Sequence, residues 1–495
     1  MFLGETDYFV SIIMLNFKMK KYLKYIIVFY SVFAVSSGLC AETVLTLADA
    51  LQLAISNNEL INASAKSKEF AQYQLKSAKG KNYPNVFLEG SVNKINDPII
   101  LKLADARSAV IGASAATLKA TGASDAVVAA FTQKLNSSIP DFDMKFQDDL
   151  FYKLSAGVVW PLYTGGKISA NSKAKQTEVD ISAIEQEKTL NSTITSVIES
   201  YFKAELAQEV LNIRLNYLNN IKQHAANAEK LFNVGMIAKT NKLRADVALS
   251  QATIEYEKSA RDFQLALVVL SNIIGKDCQN TSLATDINIL ENLKDVQYYV
   301  ETAKSNNTVL KELNEKKNLI KQKKKAINGN FLPTIAAFGK YEIYKENLTV
   351  FDPEWVAGIN ARLDIFNGGS DYNENKAYSA QLEMIDLYIK NTDKMITTGV
   401  KKYHHEVETA KQRYESLKSS QELTEENLKL YKQSFKEGLA TSIEVIDAEL
   451  AVSKVMLEQL QTLYEYNVAY AKLIDICGKS ALLMNNITGD LKYEK

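Results

Sequence analysis

Residue types suited to catalysis are few in this chain, and their spacing does not suit a catalytic site. The 495 residues include three histidines, His224, His404 and His405, all within stretches of helical pattern. Adjacent helix positions point to different faces, so His404 and His405 are not predicted to share a metal ion. The pair Gly165-Gly166 lacks the Lys-Ser/Thr that completes a phosphate-binding loop. We therefore predict no enzyme, no cofactor and no metal site.

Two carboxylates with helical spacing follow a predicted tight turn late in the chain. Gly438 supplies the positive φ angle that a reversal needs. Thr441-x-x-Glu444 then matches the capping box that begins a helix. Glu444 and Asp447 are three residues apart, so they share a face of that helix. Where several copies of such a pair crowd together, the carboxylates attract cations.

The same turn pattern occurs 203 positions earlier, around Gly235. This indicates that the chain consists of two repeats of one structural unit. Pairs that keep this shift include Phe232/Phe435, Ala245/Ala448 and Gly275/Gly478. Upstream, Pro84/Pro333 and Gly90/Gly339 match at a shift of 249. The first copy therefore carries 46 extra residues, the difference between 249 and 203, between its two strands. Insertions are best tolerated in the loop of such a hairpin.

This duplication predicts the organisation of the whole chain. Low Gly and Pro counts favour long helices, and period-two alternation marks the strands. We expect a leader and signal peptide over 1–41, a first repeat over 42–277, a linker over 278–295, a second repeat over 296–480 and a tail over 481–495. The first repeat contains strands 84–94 and 151–163, insert 96–149 and helices 167–234 and 239–274; the second contains strands 333–344 and 355–366 and helices 370–437 and 442–477.

The beginning of the chain has the pattern of a secretory signal peptide. A basic segment starts at Met19, an apolar segment covers 25–35, and small residues lead to Ala41. An uncleaved membrane anchor is the alternative, and lipidation of Cys40 stays open although Leu39 is large for that signal. No later apolar stretch reaches about 20 residues, so no spanning helix is expected. With 58 basic and 58 acidic residues, no nucleic-acid partner is indicated.

The fourth predicted strand has two contrasting faces. Apolar Trp355, Ala357, Ile359 and Ala361 alternate with a polar series, Gly358, Asn360, Arg362 and Asp364. This pattern fits a strand between lipid and water, and it also fits a half-buried strand of a soluble sheet. Four strands are too few to close a barrel, since even eight leave only a filled interior. Three chains would supply 12 strands.

A lysine-rich run precedes the third strand. Between Lys316 and Lys325 it holds six lysines, and Pro333 follows shortly after. Such a run is either the solvated face of a helix or a contact with lipid headgroups. Both interpretations remain open.

At this point the residues resemble the TolC family of outer-membrane efflux and secretion channels. The resemblance depends on the duplicated helix–hairpin–helix plan, the Gly165-Gly166 and Gly368-Gly369 strand ends, and the run Val445-Ile-Asp447-Ala448. It implies a mainly α fold with a small β part: duplicated long-helix hairpins form an α-helical barrel, and four strands per chain contribute to a 12-stranded trimeric transmembrane β-barrel. It also implies a homotrimer in outer-membrane lipid of a Gram-negative bacterium, extending into the periplasm, with a periplasmic adaptor protein and an inner-membrane pump as partners.

The resemblance further implies site residues. Glu444 and Asp447 fall on the acidic positions that ring the pore constriction, although a capping role for Glu444 with a solvated Asp447 is the alternative. The adaptor-docking tips correspond to Val234, Gly235, Met236, Glu437, Gly438 and Leu439. The tip-gating positions correspond to Thr240, Asn241, Lys242 and Ala440. Here Ala440 replaces a basic residue and Asn241 an acid, so the family's usual gating link is in doubt. Candidate partners for Glu444 or Glu437 are instead Lys239, Lys242 and Arg244.

These observations bear on three classes of function. The leading expectation is a passive exit channel that completes a tripartite efflux pump or a type I secretion system. The alternative is a periplasmic coiled-coil scaffold without a channel, which has no need of strands with an apolar face. A secreted hydrolase is disfavoured because no acid, base and nucleophile occur in a suitable pattern.

Overall fold

The structure is a computed structural model that describes residues 43–139, 143–278, 281–284, 293–346 and 353–480. The predictions for the signal peptide, Cys40 and the C-terminal tail lie outside these residues. Most of the described residues are helical and a smaller part forms strands. The prediction of a mainly helical chain with a small sheet is confirmed.

The described helices include two of 67 residues each. In chain order they are α1 (Leu47–Asn57), α2 (Glu59–Gly80), α3 (Leu103–Ala120), α4 (Asp125–Ser138), α5 (Lys167–Asn233), α6 (Lys239–Ile274), α7 (Val296–Asn306), α8 (Thr308–Asn328), α9 (Ser370–Lys436) and α10 (Ser442–Ile476). A short 3-10 helix, Gly329–Phe331, follows α8.

The described strands form one four-stranded sheet and two small two-stranded sheets. In chain order they are β1 (Thr43–Leu45), β2 (Asn85–Lys94), β3 (Ile99–Lys102), β4 (Asp143–Gln147), β5 (Leu150–Thr164), β6 (Thr281–Leu283), β7 (Thr334–Glu346) and β8 (Trp355–Arg362). The large sheet has the order β2-β5-β7-β8 and every neighbouring pair is antiparallel. The small sheets pair β1 with β6 in parallel and β3 with β4 in antiparallel.

The chain divides into two compact units, and each unit contains segments of both predicted repeats. Among the described residues, the first unit comprises those within 43–59, 191–299 and 400–480, and the second comprises those within 60–190 and 300–399. The first unit is therefore largely helical. The second unit contains the four-stranded sheet and the insert helices α3 and α4.

The core of the first unit is built on the periodic apolar residues of α5. Ile194, Val197 and Tyr201 recur at the spacing of one helix face, and each is at most 1% exposed. The Tyr201 hydroxyl donates to the carbonyl oxygen of Leu45 at 2.8 Å, so its polar end is satisfied inside the core. Further along α5, Ile221 packs against alanines of α6, where small side chains let the two helices approach closely.

The register of the four-stranded sheet separates an apolar face from a charged one. Directly paired residues lie on the same face, and β7 pairs Tyr341 with Trp355 and Ala337 with Ile359 of β8. On the other face, Lys153 and Glu342 form an ion pair at 3.2 Å, and Lys340 and Glu89 form one at 3.1 Å. The alternation predicted for the fourth strand therefore extends to its neighbour.

The structure differs from the sequence predictions, or adds to them, at three points. Helical spacing in the sequence runs from 46 to about 81, but the structure interrupts that helix at Asn58, whose side-chain amide donates to the carbonyl of Ile273 at 3.1 Å. Strand β8 ends at Arg362 instead of residue 366, where its pairing with β7 stops. The insert, whose Ala-, Ser- and Thr-rich sequence indicated no function, contains the helices α3 and α4.

None of the helices in the described part of the chain combines the length and the apolar character that crossing a bilayer requires.

Candidate functional site

The two predicted tight turns have the same backbone geometry. Gly235 has a φ angle of 79° and Gly438 has one of 72°, the left-handed conformation that glycine adopts without strain. After α5, the amide of Gly235 donates to the carbonyl of Phe232 and that of Met236 to Leu231, both at 2.9 Å. After α9, Gly438 donates to Phe435 at 3.1 Å and Leu439 to Ser434 at 2.9 Å. Both helices therefore end in a Schellman motif, 203 residues apart.

The second turn leads directly into the helix that carries the candidate carboxylates. A Glu444 carboxylate oxygen accepts from the backbone N–H of Thr441 at 2.6 Å and from its hydroxyl at 2.8 Å. These bonds are one half of a capping box, and the backbone bond lowers the pKa of Glu444. Glu444 and Asp447 are both exposed on α10. Capping and exposure of the acidic pair are thus compatible within one chain.

Apolar side chains protrude from both turns. The exposed fraction is 70% for Val234, 68% for Met236 and 79% for Leu439. Gly235, Glu437 and Gly438, the other predicted docking residues, are exposed as well. A protein surface that displays grouped apolar residues at helix ends has the character of a contact surface.

A buried polar network connects the two helix pairs behind these turns. His224 of α5 lies with Nε2 2.7 Å from the hydroxyl oxygen of Ser442, the first residue of α10. Its ring also packs on Phe435 of α9, with the ring centroids 4.9 Å apart. One turn away, the Asn220 amide donates to the buried Glu449 carboxylate at 3.1 Å, and Lys432 pairs with the same carboxylate at 2.5 Å.

Burial governs the ionisation of this histidine. It lowers the pKa of His224; the nearby Glu449 opposes that shift, and Lys432 reinforces it. His224 was not among the residues that the sequence marked as functional. Its spacing of four from Asn220 placed both on one helix face, but no sequence pattern indicated that this face would be covered by α10.

The four predicted gating positions take different places at the tip. Thr240 is exposed and Ala440 is half-buried, while the backbone amide of Asn241 donates to Ala238 at 3.0 Å. Lys242 lies 3.7 Å from carboxylate oxygens of both Glu229 and Asp246. These ion pairs connect α5 and α6 across their turn. The bridge from this tip to Glu444 or Glu437 stays a prediction.

The other two histidines of the chain have different surroundings. His404 is buried against the carbonyl of Lys294, at 3.0 Å, whereas His405 is exposed. In the portion of the chain that the structure describes, no group of three or more His, Cys, Asp or Glu side chains is arranged to hold a metal ion.

Comparison with known proteins agrees with this arrangement. The model of the outer membrane efflux protein family matches residues 142–276 and 300–479. A comparison with curated proteins gave no match.

Solved structures share the fold at low sequence identity. They include a membrane protein from Pseudomonas aeruginosa (TM-score 0.69, 14% identity, 87% of this chain and 93% of that chain). They also include the Campylobacter jejuni CmeC outer membrane channel (TM-score 0.68, 15% identity, 90% of each chain). A third is the open state of the Neisseria gonorrhoeae MtrE outer membrane channel (TM-score 0.68, 13% identity, 88% of this chain and 89% of that chain).

The family match spans more than half of the chain and includes both turns, both long helix pairs and most of the large sheet. The chain therefore belongs to the outer membrane efflux protein family, the TolC-like channel proteins of the Gram-negative outer membrane that extend into the periplasm.

Proposed function

We propose that this chain is one of three identical subunits of an exit channel that completes a tripartite efflux pump or a type I secretion system. Substrates would pass through it from an inner-membrane pump and its periplasmic adaptor to the cell exterior, without chemical change. The observation that carries this proposal is the four-stranded sheet of the second unit, which has an exposed apolar face and two edges open to further pairing.

The apolar face is unusual for a sheet in water. On β2, Val86, Leu88 and Val92 are between 67% and 75% exposed, and Ile359 of β8 is 71% exposed. Their register partners across the sheet belong to the same face. Contact with lipid removes the cost of leaving such a face in water, which is about 25 cal/mol per Å² of apolar surface.

The open edges support assembly into a closed ring. Within the described residues, β2 and β8 are each paired on one side only. The unpaired backbone groups of an exposed edge need partners, and a closed barrel supplies all of them inside a bilayer. Pairing β8 of one copy with β2 of the next makes a ring, and three copies give 12 strands, with the charged face inside.

The tips of the helix pairs support the remaining parts of the proposal. Val234, Met236 and Leu439 offer apolar contacts at the turns, which suits end-on docking of an adaptor. Glu444 and Asp447, exposed and on one face of α10, would place six carboxylates around a threefold axis. Crowding would then raise the pKa of Glu444, which the backbone N–H of Thr441 lowers in the single chain.

Mass and conductance measurements test the proposal together. The protein, purified from outer membranes in detergent, should have three times the mass of the mature chain and should form discrete, cation-selective channels in a planar bilayer. Protein that remains soluble without detergent as a single chain, and gives no conductance, would instead support a periplasmic scaffold.

A further inference from the structure

We propose that lysines at the helix ends next to the four-stranded sheet bind anionic phospholipid headgroups of the inner leaflet of the outer membrane. This inference deepens the proposed function and rests on its placement of the sheet in that membrane. Six lysines form this lysine collar: Lys79, Lys81, Lys173, Lys321, Lys323 and Lys325.

The helix ends that carry the collar lie side by side in the second unit. Lys175 of α5 donates to the side-chain oxygen of Gln74 on α2 at 2.8 Å. The start of α5 also approaches the end of α8 so closely that a Cβ atom added at Gly165 would collide with the carbonyl oxygen of Gly329. Lys324 of α8 donates to Ser379 of α9 at 2.7 Å. Side-chain and backbone contacts thus link the collar-bearing ends to one another.

Charge is strongly unbalanced at these ends. The segments 75–82, 167–177 and 321–333 contain no acidic residue, although the whole chain has equal numbers of acids and bases. All six collar lysines are exposed. Across the described ranges, no ion pair joins any of them to a carboxylate, whereas Lys316 and Lys317 of the same lysine run are paired with Glu312 and Asp386. The collar therefore presents free positive charge.

An aromatic layer lies between the collar and the apolar face of the sheet. Trp160 belongs to that face, because it pairs with Ala337, which in turn pairs with Ile359. Its indole N–H donates to the carbonyl of Asn82 at 3.1 Å, next to Lys81. Exposed Tyr83, Tyr163 and Phe331 occupy the same end of the strands. Aromatic side chains prefer the boundary between acyl chains and headgroups, so the collar falls at headgroup depth.

Dimensions are consistent with this depth. Lys321 precedes the end of α8 by seven residues, which is about 10 Å along a helix. The headgroup region is about 5–8 Å thick on each side of a bilayer. Lysine stems lie along apolar surface while their ammonium groups reach the phosphates. Positive charge, exposure and depth together fit an anionic phospholipid, and the helices leave the sheet on the periplasmic side, where that leaflet lies.

The two tryptophans of the chain allow a direct test. In a Trp355→Phe background, Trp160 is the remaining tryptophan, and acyl-brominated lipids in contact with it quench its fluorescence. The full-length protein is reconstituted into bilayers with brominated phosphatidylglycerol or brominated phosphatidylcholine. We expect a several-fold preference for phosphatidylglycerol, since a lysine near an anionic surface contributes about fivefold in affinity. The preference should disappear in about 1 M salt, where the Debye length is about 3 Å.

Two charge-matched variants decide whether the collar is responsible. Lys81→Gln/Lys321→Gln/Lys325→Gln, which removes half of the collar, should lower the preference several-fold, whereas Lys401→Gln/Lys418→Gln/Lys454→Gln, three exposed lysines of the first unit, should leave it unchanged. A preference that is undiminished in the collar variant, or that is absent from the unsubstituted collar while both lipids quench, would overturn the inference and leave the channel proposal intact. If neither brominated lipid quenches the fluorescence of Trp160, the membrane placement of the sheet is wrong, and the inference fails with it.

Discussion

Atom Nε2 of His224 lies 2.7 Å from Oγ of Ser442, so a side chain of α5 is hydrogen-bonded to the first residue of α10. The contact is buried and joins positions 218 residues apart. It connects the helix pair of the first repeat to that of the second immediately behind their turns. Any movement that separates α5 from α10 here must break this bond and expose the His224 and Phe435 rings.

His224→Ala should therefore destabilise the region around both turns. Loss of the buried hydrogen bond and of the contact with Phe435 should cost about 3 kcal/mol. Hydrogen exchange of amides within 434–446 should accelerate accordingly. The matched control is His405→Ala, because His405 is exposed, and its effect should stay within about 0.5 kcal/mol. Equal protection of these amides against hydrogen exchange in the two variants would contradict a structural role for the His224–Ser442 contact.

Stability of the same region should depend on pH through His224. Its pKa is lowered in the folded state, so between that value and the unfolded value of about 6.5 the unfolded chain binds more protons. The stabilising contribution is thus complete above about pH 6.5 and is lost as the pH falls through the folded pKa. Glu449 and Lys432 are the charged groups that act on this ring. His224→Gln should flatten the decline of the unfolding midpoint between about pH 7 and pH 5.

The left-handed glycines of the turns should resist substitution. Gly438→Ala places a Cβ atom at a φ angle of 72° and should cost about 1–2 kcal/mol, measured as a lower midpoint of thermal unfolding. The control is Gly112→Ala in the interior of α3, where an added Cβ has open space and no positive φ. That change should be neutral or stabilising by up to about 1 kcal/mol. A similar loss in both variants would mean that turn strain is not the cause.

Removing the charge of the acidic pair should change ion selectivity without melting the helix start. Glu444→Gln retains a side-chain oxygen for the capping box, and Asp447→Asn is nearly isosteric. If six carboxylates line the constriction, the double variant should lose cation preference in planar-bilayer reversal potentials. Thr441→Val is the complementary control: it should lower stability by about 1 kcal/mol and leave selectivity unchanged. Unaltered ion selectivity in the double variant would mean that Glu444 acts only as a helix cap and that Asp447 is only solvated.

A charge on the apolar face of β8 should impair assembly, whereas the same charge on the other face should be tolerated. Ile359→Lys puts an ammonium group toward lipid at a cost of about 2–4 kcal/mol near the bilayer centre. Asn360→Lys, its neighbour on the opposite face, provides the control. The measurement is the yield of oligomer extracted from outer membranes. Similar yields for both variants would contradict the lipid-facing assignment.

Local patterns in the sequence determined the elements of this protein. Helical spacing and the scarcity of Gly and Pro predicted helices at 167–234 and 370–437, and the structure has Lys167–Asn233 and Ser370–Lys436. The turn at Gly438 and the capping pair Thr441 and Glu444 were also predictable. Their hydrogen bonds form between residues at most six apart, so the chemistry of a short segment decides them.

The tertiary structure decided which distant residues contact each helix and strand. The break at Asn58 depends on the carbonyl of Ile273, and the burial of His224 depends on Ser442; in both cases the partner is more than 200 residues away. The order β2-β5-β7-β8, which aligns Trp160 with Ile359 on one face, likewise depends on pairing between strands from different repeats. The periodicity of a sequence predicts which face of a helix or strand is apolar and which is polar. Only packing determines which residues of the distant chain cover it, because that choice is made by shape and hydrogen bonding between whole elements.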